Sequence, residues 1–172
     1  MAIDEYTLEE IRQDFYTGFD QNVLILNNEN KNKFWEWFCK RVVKLNVTTS
    51  PNTLLVNGDK NIAGRCFGNS QIIALEVGLD YYEGFVKHND TFIFHGFNAE
   101  NNKVHDYTAL SNERGYVDIN GNLPSEYFGI KINKEFIEKH NKELIENNDF
   151  NIDHLLYKMF ESEIDYIAFL QS

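Results

Sequence analysis

Residues 79–109, LDYYEGFVKHNDTFIFHGFNAENNKVHDYTA, decide the fold class of this 172-residue chain. They contain three runs rich in aromatic and β-branched residues, separated by short polar stretches. The runs are Leu79–Lys87, Thr91–Asn98 and Lys103–Ala109. Consecutive strands joined by loops this short pair as an antiparallel meander. We therefore predict that an antiparallel β-meander forms the sheet of the molecule.

Two helices are predicted before the meander. Thr7 and Glu10 have the spacing of a capping box, so the first helix is expected over Thr7–Thr17. An Asn-rich loop is expected to run up to Asn32. The second helix is expected from the apolar positions 34, 38, 42 and 45, which share one helical face. Cys39 widens that apolar stripe and is expected to be a packed core thiol.

The remaining segments complete an α+β pattern, in which helices precede and follow the meander. A short strand is expected at Thr53–Val56, and a helix after Cys66 that stops at Gly78. The chain is expected to be irregular from the meander to Gly129, with helices over Lys134–Glu146 and Ile152–Ser162. No linker or repeat divides the sequence, so we predict one domain over residues 1–172. Its parts are N-terminal helices in 1–50, the cysteine helix and antiparallel sheet in 53–131, and C-terminal helices in 133–172.

Charge and composition narrow the classes of function. The net charge of −11 repels phosphate backbones, which disfavours direct nucleic-acid binding, whereas an acidic surface suits a partner with a basic face. The first fifteen residues lack a basic and then apolar leader, and no apolar run is long enough for a membrane span. We therefore expect a cytoplasmic protein without membrane contact, in which Cys39 and Cys66 are reduced thiols.

Cys66 is the first candidate for chemistry. It lies in Gly64-Arg65-Cys66-Phe67-Gly68, where a loop ends and a helix begins. The unpaired N–H groups and the dipole at a helix N terminus favour the thiolate, which is the nucleophilic form of cysteine. The same N–H groups are donors for a developing oxyanion. The alternative is a small buried residue that covers the helix end, and position alone does not decide between the two.

His95 and Asp106 gain interest from the hairpin that joins them. If a two-residue turn lies at Glu100-Asn101, His95 is directly opposite Asp106 on one face of the sheet. A shift by two residues leaves them as diagonal neighbours on that face, whereas a shift by one places them on opposite faces. A carboxylate on the adjacent strand fixes the tautomer of an imidazole and supports its charge. His105 is expected to point to the other face.

The motifs in this order resemble those of papain-like and transglutaminase-like proteins. The resemblance covers about residues 64–137 and is closest to small phage and bacterial proteins. The segments that carry it are Cys66-Phe67-Gly68-Asn69-Ser70, Tyr82-Glu83-Gly84-Phe85, His95-Gly96-Phe97-Asn98, Val104-His105-Asp106-Tyr107-Thr108 and Tyr127-Phe128-Gly129-Ile130. It implies a papain-like or transglutaminase-like core, with Cys66 as nucleophile, His95 as base and Asp106 as orienting carboxylate. Two departures are Gly96-Phe97, where Ala-Trp is usual, and Arg65, where a small polar residue is common.

Two asparagines are weaker candidates for the same site. Asn69 follows Cys66 by three residues and is expected near the same helical face. It either helps to position the substrate or His95, or bonds the loop before the helix. Asn61 is a candidate oxyanion donor by analogy with papain-like enzymes.

No pattern in the sequence indicates a cofactor. The five histidines are scattered, no Cys-x-x-Cys pair occurs, and Asn57-Gly58-Asp59-Lys60 lacks the rest of a phosphate-binding loop. We therefore expect neither a metal nor a nucleotide cofactor.

Two functions remain from the sequence. The first is a cofactor-free thiol enzyme, of peptidase, amidase or acyl transferase type, that acts on a peptide, protein or other amide or ester. The second is an acidic interaction or inhibitor protein that keeps the fold without catalysis; its partner would be a host protein, in the host cytoplasm, if the chain is phage-encoded. The second hypothesis predicts an occluded Cys66 and a broad carboxylate-rich face.

Overall fold

The computed structural model describes residues 3–18, 28–47, 65–110, 124–147 and 152–171. In these residues the chain is α+β, as predicted. Its elements are α1 (Glu5–Gly18), α2 (Asn28–Arg41), β1 (Val43–Leu45), α3 (Cys66–Glu76), β2 (Asp80–His88), β3 (Thr91–Glu100), β4 (Lys103–His105), α4 (Tyr107–Leu110), β5 (Glu126–Ile132), α5 (Lys134–Glu146) and α6 (Leu156–Gln171). None of these helices is long and apolar enough to cross a membrane.

The strands form one antiparallel sheet in the order β1-β5-β2-β3-β4, which contains the predicted meander β2-β3-β4. Asn46, just after β1, also forms a bridge with Lys103 at the start of β4. Its N–H donates to the Asn102 carbonyl at 3.0 Å, and its carbonyl accepts from the Val104 N–H at 2.9 Å. The two edge strands therefore meet at one end, and the sheet curls into a half-barrel.

Side chains alternate between the two faces of this sheet. The inner face carries a cluster made only of strand residues, which we call the inner cluster. Its buried members are Leu45, Tyr82, Val86, Phe97, Ala99, Val104 and Tyr127. The other face is covered by helices and is rich in aromatic contacts. For example, the rings of Phe15 in α1 and Phe38 in α2 each lie 5.6 Å from the Phe85 ring in β2.

The β3–β4 turn lies one position further along the chain than predicted. It is made by Asn101 and Asn102, both at positive φ (50° and 66°), a conformation that asparagine tolerates better than glutamate does. Asn98 therefore pairs with His105, so every predicted partner changes by two residues. Because the change is even, His95 and Asp106 stay on one face as diagonal neighbours.

The N-terminal predictions need correction. The capping box of Thr7 and Glu10 is wrong, because α1 begins earlier and Asp4 caps it. The Asp4 carboxylate accepts from the Thr7 N–H and from the Thr7 hydroxyl, both at 2.9 Å. Aspartate before the first turn satisfies an N–H group that has no partner within the helix.

The second predicted helix is shifted and shortened. It begins within the Asn-rich stretch that was expected to be a loop, and it ends at Arg41. Residues 43–45 form β1 and pair with β5, so Leu45 belongs to the inner cluster rather than to a helical face. The 1–50 segment is therefore not all helical. Pairing with a distant strand overrode the helical spacing of its apolar residues.

The largest omission is β5, because the chain up to Gly129 was predicted to be irregular. Gly129 interrupts the strand pattern in the sequence, yet its missing side chain is required. A Cβ there would lie 2.9 Å from the Phe97 ring and 3.2 Å from the Tyr82 Cβ. The third run of the meander is also shorter than predicted, because residues 107–110 form α4.

The C-terminal helices are close to expectation. α5 has the predicted bounds, and the Asn133 side chain caps it by accepting from the Phe136 N–H at 2.8 Å. α6 begins four residues later than predicted and continues to Gln171. The strand predicted at 53–56 lies outside the described residues.

A buried polar network fastens the start of α6 to the helix-covered face. Both oxygens of Glu83 in β2 accept backbone N–H groups, from Leu155 and Leu156, at 2.6 Å each. The Tyr81 hydroxyl donates to the same carboxylate. Gln71 in α3 donates to the Tyr81 hydroxyl at 3.2 Å and accepts from the Asn141 amide of α5 at 2.8 Å. The network connects α3, α5 and α6 to the sheet.

Burial governs the charge of Glu83. Burial disfavours the carboxylate and raises the pKa of Glu83 from 4.5 to about 7, against the opposing effect of its hydrogen bonds with Tyr81, Leu155 and Leu156.

Candidate active site

Cys66 is the first residue of α3, which confirms the predicted helix start. The first turn of α3 lies directly against Gly96 of β3. A Cβ at Gly96 would be 2.8 Å from the Phe67 ring and 3.2 Å from the Cys66 carbonyl oxygen. The Ser70 hydroxyl donates to the Gly96 carbonyl at 3.0 Å. The absence of a side chain at Gly96 therefore lets the cysteine helix approach β3 closely.

His95 and Asp106 form a buried pair on the inner face of the sheet. His95 Nε2 and Asp106 Oδ2 are 2.8 Å apart, and the His95 side chain is fully buried. His95 is paired with Gly84 in β2, and Asp106 directly follows β4. The hairpin places the two as the even register shift requires, so the prediction that they share a face is confirmed.

The electrostatics of His95 depend on both Asp106 and Cys66. Burial alone would lower the pKa of His95, but electrostatic interaction with Asp106 and Cys66, together with the hydrogen bond to Asp106, raises that pKa from 6.5 to about 10. Cys66 acts from the first turn of α3, which packs against Gly96, the residue after His95.

Cys66 itself has only 4% of its surface exposed. This burial would suit a thiol that serves packing alone.

Tyr127 is a fourth member of the site, to which the sequence analysis gave no role. Its hydroxyl donates to Asp106 Oδ2 at 2.9 Å, the same oxygen that His95 contacts. Burial, together with the charge of Asp106 and this hydrogen bond, raises the pKa of Tyr127 far above 10, so the phenol stays protonated. Recognition of β5 as a strand would have revealed it, because alternation would then have directed Tyr127 and Gly129 to one face.

Asn69 has a structural contact in the site. Its side-chain amide donates to the Thr108 hydroxyl at 2.9 Å, and both residues are buried. This bond joins α3, which carries Cys66, to α4, which follows Asp106. The geometry favours a role in holding these elements together over direct contact with a substrate. Asn61 lies outside the described residues.

His105 is excluded from the pair by its direction, as predicted. It is paired with Asn98, whose amide donates to the Ser70 carbonyl at 2.9 Å on the helix-covered face. Among the described residues, no group of three or more His, Cys, Asp or Glu side chains is arranged to hold a metal ion. The expectation of a cofactor-free site stays a prediction.

Comparisons with protein-family models, with curated proteins and with solved structures returned no match for this chain. The likeness to papain-like and transglutaminase-like proteins therefore depends on the motifs quoted above, and it stays a prediction. The site itself combines a thiol at a helix N terminus with a buried imidazole–carboxylate pair on which that thiol acts electrostatically.

Proposed function

We propose that this chain is a cofactor-free cysteine enzyme with a papain-like or transglutaminase-like core, which transfers the acyl group of an amide or ester. The observation that carries the proposal is the buried His95–Asp106 pair, 2.8 Å apart, on which Cys66 acts electrostatically from the start of α3. In this arrangement the carboxylate supports an imidazolium and the imidazolium supports a thiolate.

The chemistry would proceed in two balanced halves. The Cys66 sulfur forms a bond to the substrate carbonyl carbon, and the C=O electron pair moves to oxygen. Backbone N–H groups in the first turn of α3 stabilise that oxyanion. When the oxyanion collapses, the bond to the leaving amine or alcohol breaks and His95 gives that group its proton. A thioester on Cys66 remains.

In the second half a new nucleophile replaces the thiol. His95 removes a proton from water or from an acceptor amine, whose oxygen or nitrogen bonds to the thioester carbon. The C–S bond breaks, and the thiolate–imidazolium pair is restored. Water as the acceptor gives hydrolysis by a peptidase or amidase, and an amine gives transfer.

The second candidate is an acidic binding or inhibitor protein that retains the fold. The burial of Cys66, together with the net charge of −11, favours it. In that case the thiol is a packing residue, and the protein acts on the basic face of a partner through its carboxylates.

Thiol reactivity distinguishes the two candidates. Iodoacetamide is added across pH 5–9, and alkylation of each cysteine is followed by mass spectrometry. We expect Cys66 to react well below pH 8. Cys39 is the internal control, because burial raises the pKa of its thiol and it packs beside the aromatic cluster of α2. Cys39 should react only after unfolding.

A His95→Gln variant completes this test. It should retain the fold and lose the reactivity of Cys66 at low pH, since the supporting imidazolium is gone. Slow labelling of both cysteines at equal rates in the wild-type protein would contradict the enzyme proposal and support the binding protein.

A further inference from the structure

We infer that Tyr127 is a positioning residue that adjusts how strongly Asp106 supports the His95 imidazolium. This inference deepens the proposed function and rests on it for its role in catalysis. The geometry that carries it is a shared atom: Asp106 Oδ2 accepts from Tyr127 at 2.9 Å and contacts His95 Nε2 at 2.8 Å.

The shared oxygen makes the two donors competitors. A hydroxyl that donates to a carboxylate withdraws negative charge from it, which weakens the other hydrogen bond of the same oxygen. Tyr127 therefore lowers the basicity that Asp106 imposes on His95. Because the phenol and the carboxylate are both buried, water does not screen this effect.

Packing holds the phenol in this position. Tyr127 is paired with Val86 on one side and with Leu45 on the other. Its ring makes a T-shaped contact with the Phe97 ring, with 5.0 Å between the centroids, and the Phe97 ring in turn lies 6.3 Å from the His95 ring, nearly parallel to it. The phenol and the imidazole therefore both pack against Phe97 and both contact the Asp106 carboxylate.

The groups that act on this titration come from several elements. In the described part of the chain, Asp106 and Cys66 act electrostatically on His95, from the end of β4 and from α3. Asp106 acts on Tyr127 of β5. An effect of Tyr127 on His95 therefore has to pass through Asp106.

The test is a titration of His95 by ¹⁵N NMR in the Cys66→Ala background, which removes the thiol contribution to the pKa. The His95 signal is assigned by its loss in His95→Gln. We expect Tyr127→Phe to raise the pKa of His95 by about half to one unit, the size of one lost hydrogen bond. Site-specific 3-fluorotyrosine at position 127, a stronger donor with nearly the same shape, should lower it.

Tyr82→Phe is the matched control, because Tyr82 belongs to the same inner cluster and its ring stacks on Phe97 at 5.8 Å. It should leave the titration of His95 unchanged. An unchanged or lowered pKa in Tyr127→Phe, or the same direction of shift for phenylalanine and fluorotyrosine, would overturn the inference.

The fluorotyrosine arm keeps the test decisive if the phenylalanine variant folds poorly. The readout is also independent of enzyme activity. If Cys66 proves unreactive while the two opposite shifts are observed, the proposed enzyme fails and the role of Tyr127 toward Asp106 and His95 stands.

Discussion

Two buried carboxylates lie on opposite faces of the same sheet, and their environments differ. Asp106 on the inner face contacts an imidazole and a phenol, whereas Glu83 on the helix-covered face contacts a phenol and two backbone N–H groups. Both are near β3, because Glu83 is paired with Gly96, the residue after His95, and His95 contacts Asp106. The comparison shows that burial alone does not set the role of a carboxylate.

The two carboxylates differ in the neighbouring groups that compensate for their burial. The neighbour of Asp106 is His95, which becomes a cation when protonated. The negative charge of Asp106 therefore raises the pKa of His95. In the described part of the chain, the contacts of Glu83 include no such cation, and its carboxylate holds the start of α6 through the Leu155 and Leu156 N–H groups. The environment of Asp106 therefore suits a chemical role, whereas the environment of Glu83 suits a structural role.

Asp106→Asn should have the largest effect of the substitutions considered. The amide keeps the size of the side chain but removes the charge that supports the His95 imidazolium, so Cys66 should lose its reactivity at low pH. Turnover of any substrate should fall by orders of magnitude; the analogous change in serine proteases costs about 10⁴. The measurement is the pH profile of Cys66 alkylation together with the melting temperature.

A matched control for that variant is Asp80→Asn, which removes an exposed carboxylate paired with Lys131 at 2.7 Å. It should leave the alkylation profile unchanged. If Asp106→Asn lowers stability by about 1–2 kcal/mol but keeps the wild-type pH profile of Cys66 alkylation, Asp106 serves only to stabilise the hairpin.

Glu83 should dominate the pH dependence of stability in a particular window. Its folded pKa of about 7 lies above the value of 4.5 for an unperturbed glutamate, so its contribution is fully present below pH 4.5 and is lost as pH rises through 7. The loss amounts to about 3 kcal/mol. Chemical denaturation at several pH values should show this decline in the wild-type protein and not in Glu83→Gln.

The titration of His95 affects stability in a different pH range from that of Glu83, and it tests the same comparison between Asp106 and Glu83. The raised pKa of His95 means that its contribution is fully present below pH 6.5 and is lost as pH rises through about 10. Glu83→Gln should leave this alkaline decline in place, and Asp106→Asn should diminish it. If both variants show the same loss of stability in both pH ranges, the two carboxylates do not act independently.

Gly96→Ala examines the position where the two regions meet. The added Cβ would be 2.8 Å from the Phe67 ring and 3.0 Å from the Phe67 Cα, so the first turn of α3 must move away from β3. We expect a destabilisation of about 1–3 kcal/mol and slower alkylation of Cys66. Gly78→Ala is a useful contrast: the added Cβ meets nothing within 4 Å, and only its positive φ of 85° opposes it. It should lower stability without changing the reactivity of Cys66.

Asn69→Ala should have the smallest effect. It removes the hydrogen bond to Thr108 and leaves a buried hydroxyl without this donor, which should cost about 1 kcal/mol of stability. The pH profile of Cys66 should keep its shape. A change in that profile larger than the change in stability would instead place Asn69 in direct contact with the reacting groups.

Local patterns in the sequence determined a considerable part of this molecule. Short polar loops between β-rich runs indicated the meander, and Gly78 indicated the end of the cysteine helix, where its φ is indeed positive. The period of two along a strand also placed His95 and Asp106 on one face, although the turn was predicted one position too early. These features depend on neighbours within about a dozen residues, so the sequence displays them directly.

The other features of the fold and the site depend on contacts between residues that are far apart in the chain. β1 forms a strand because β5 pairs with it. The two edges of the half-barrel meet because Asn46 forms a bridge with Lys103, which is more than fifty residues away in the chain. Tyr127 meets Asp106, and Glu83 meets Leu155 and Leu156, through contacts that no local periodicity encodes. A buried polar group takes the partner that the packed chain brings to it, and that partner is set by strand pairing and helix docking rather than by spacing along the sequence.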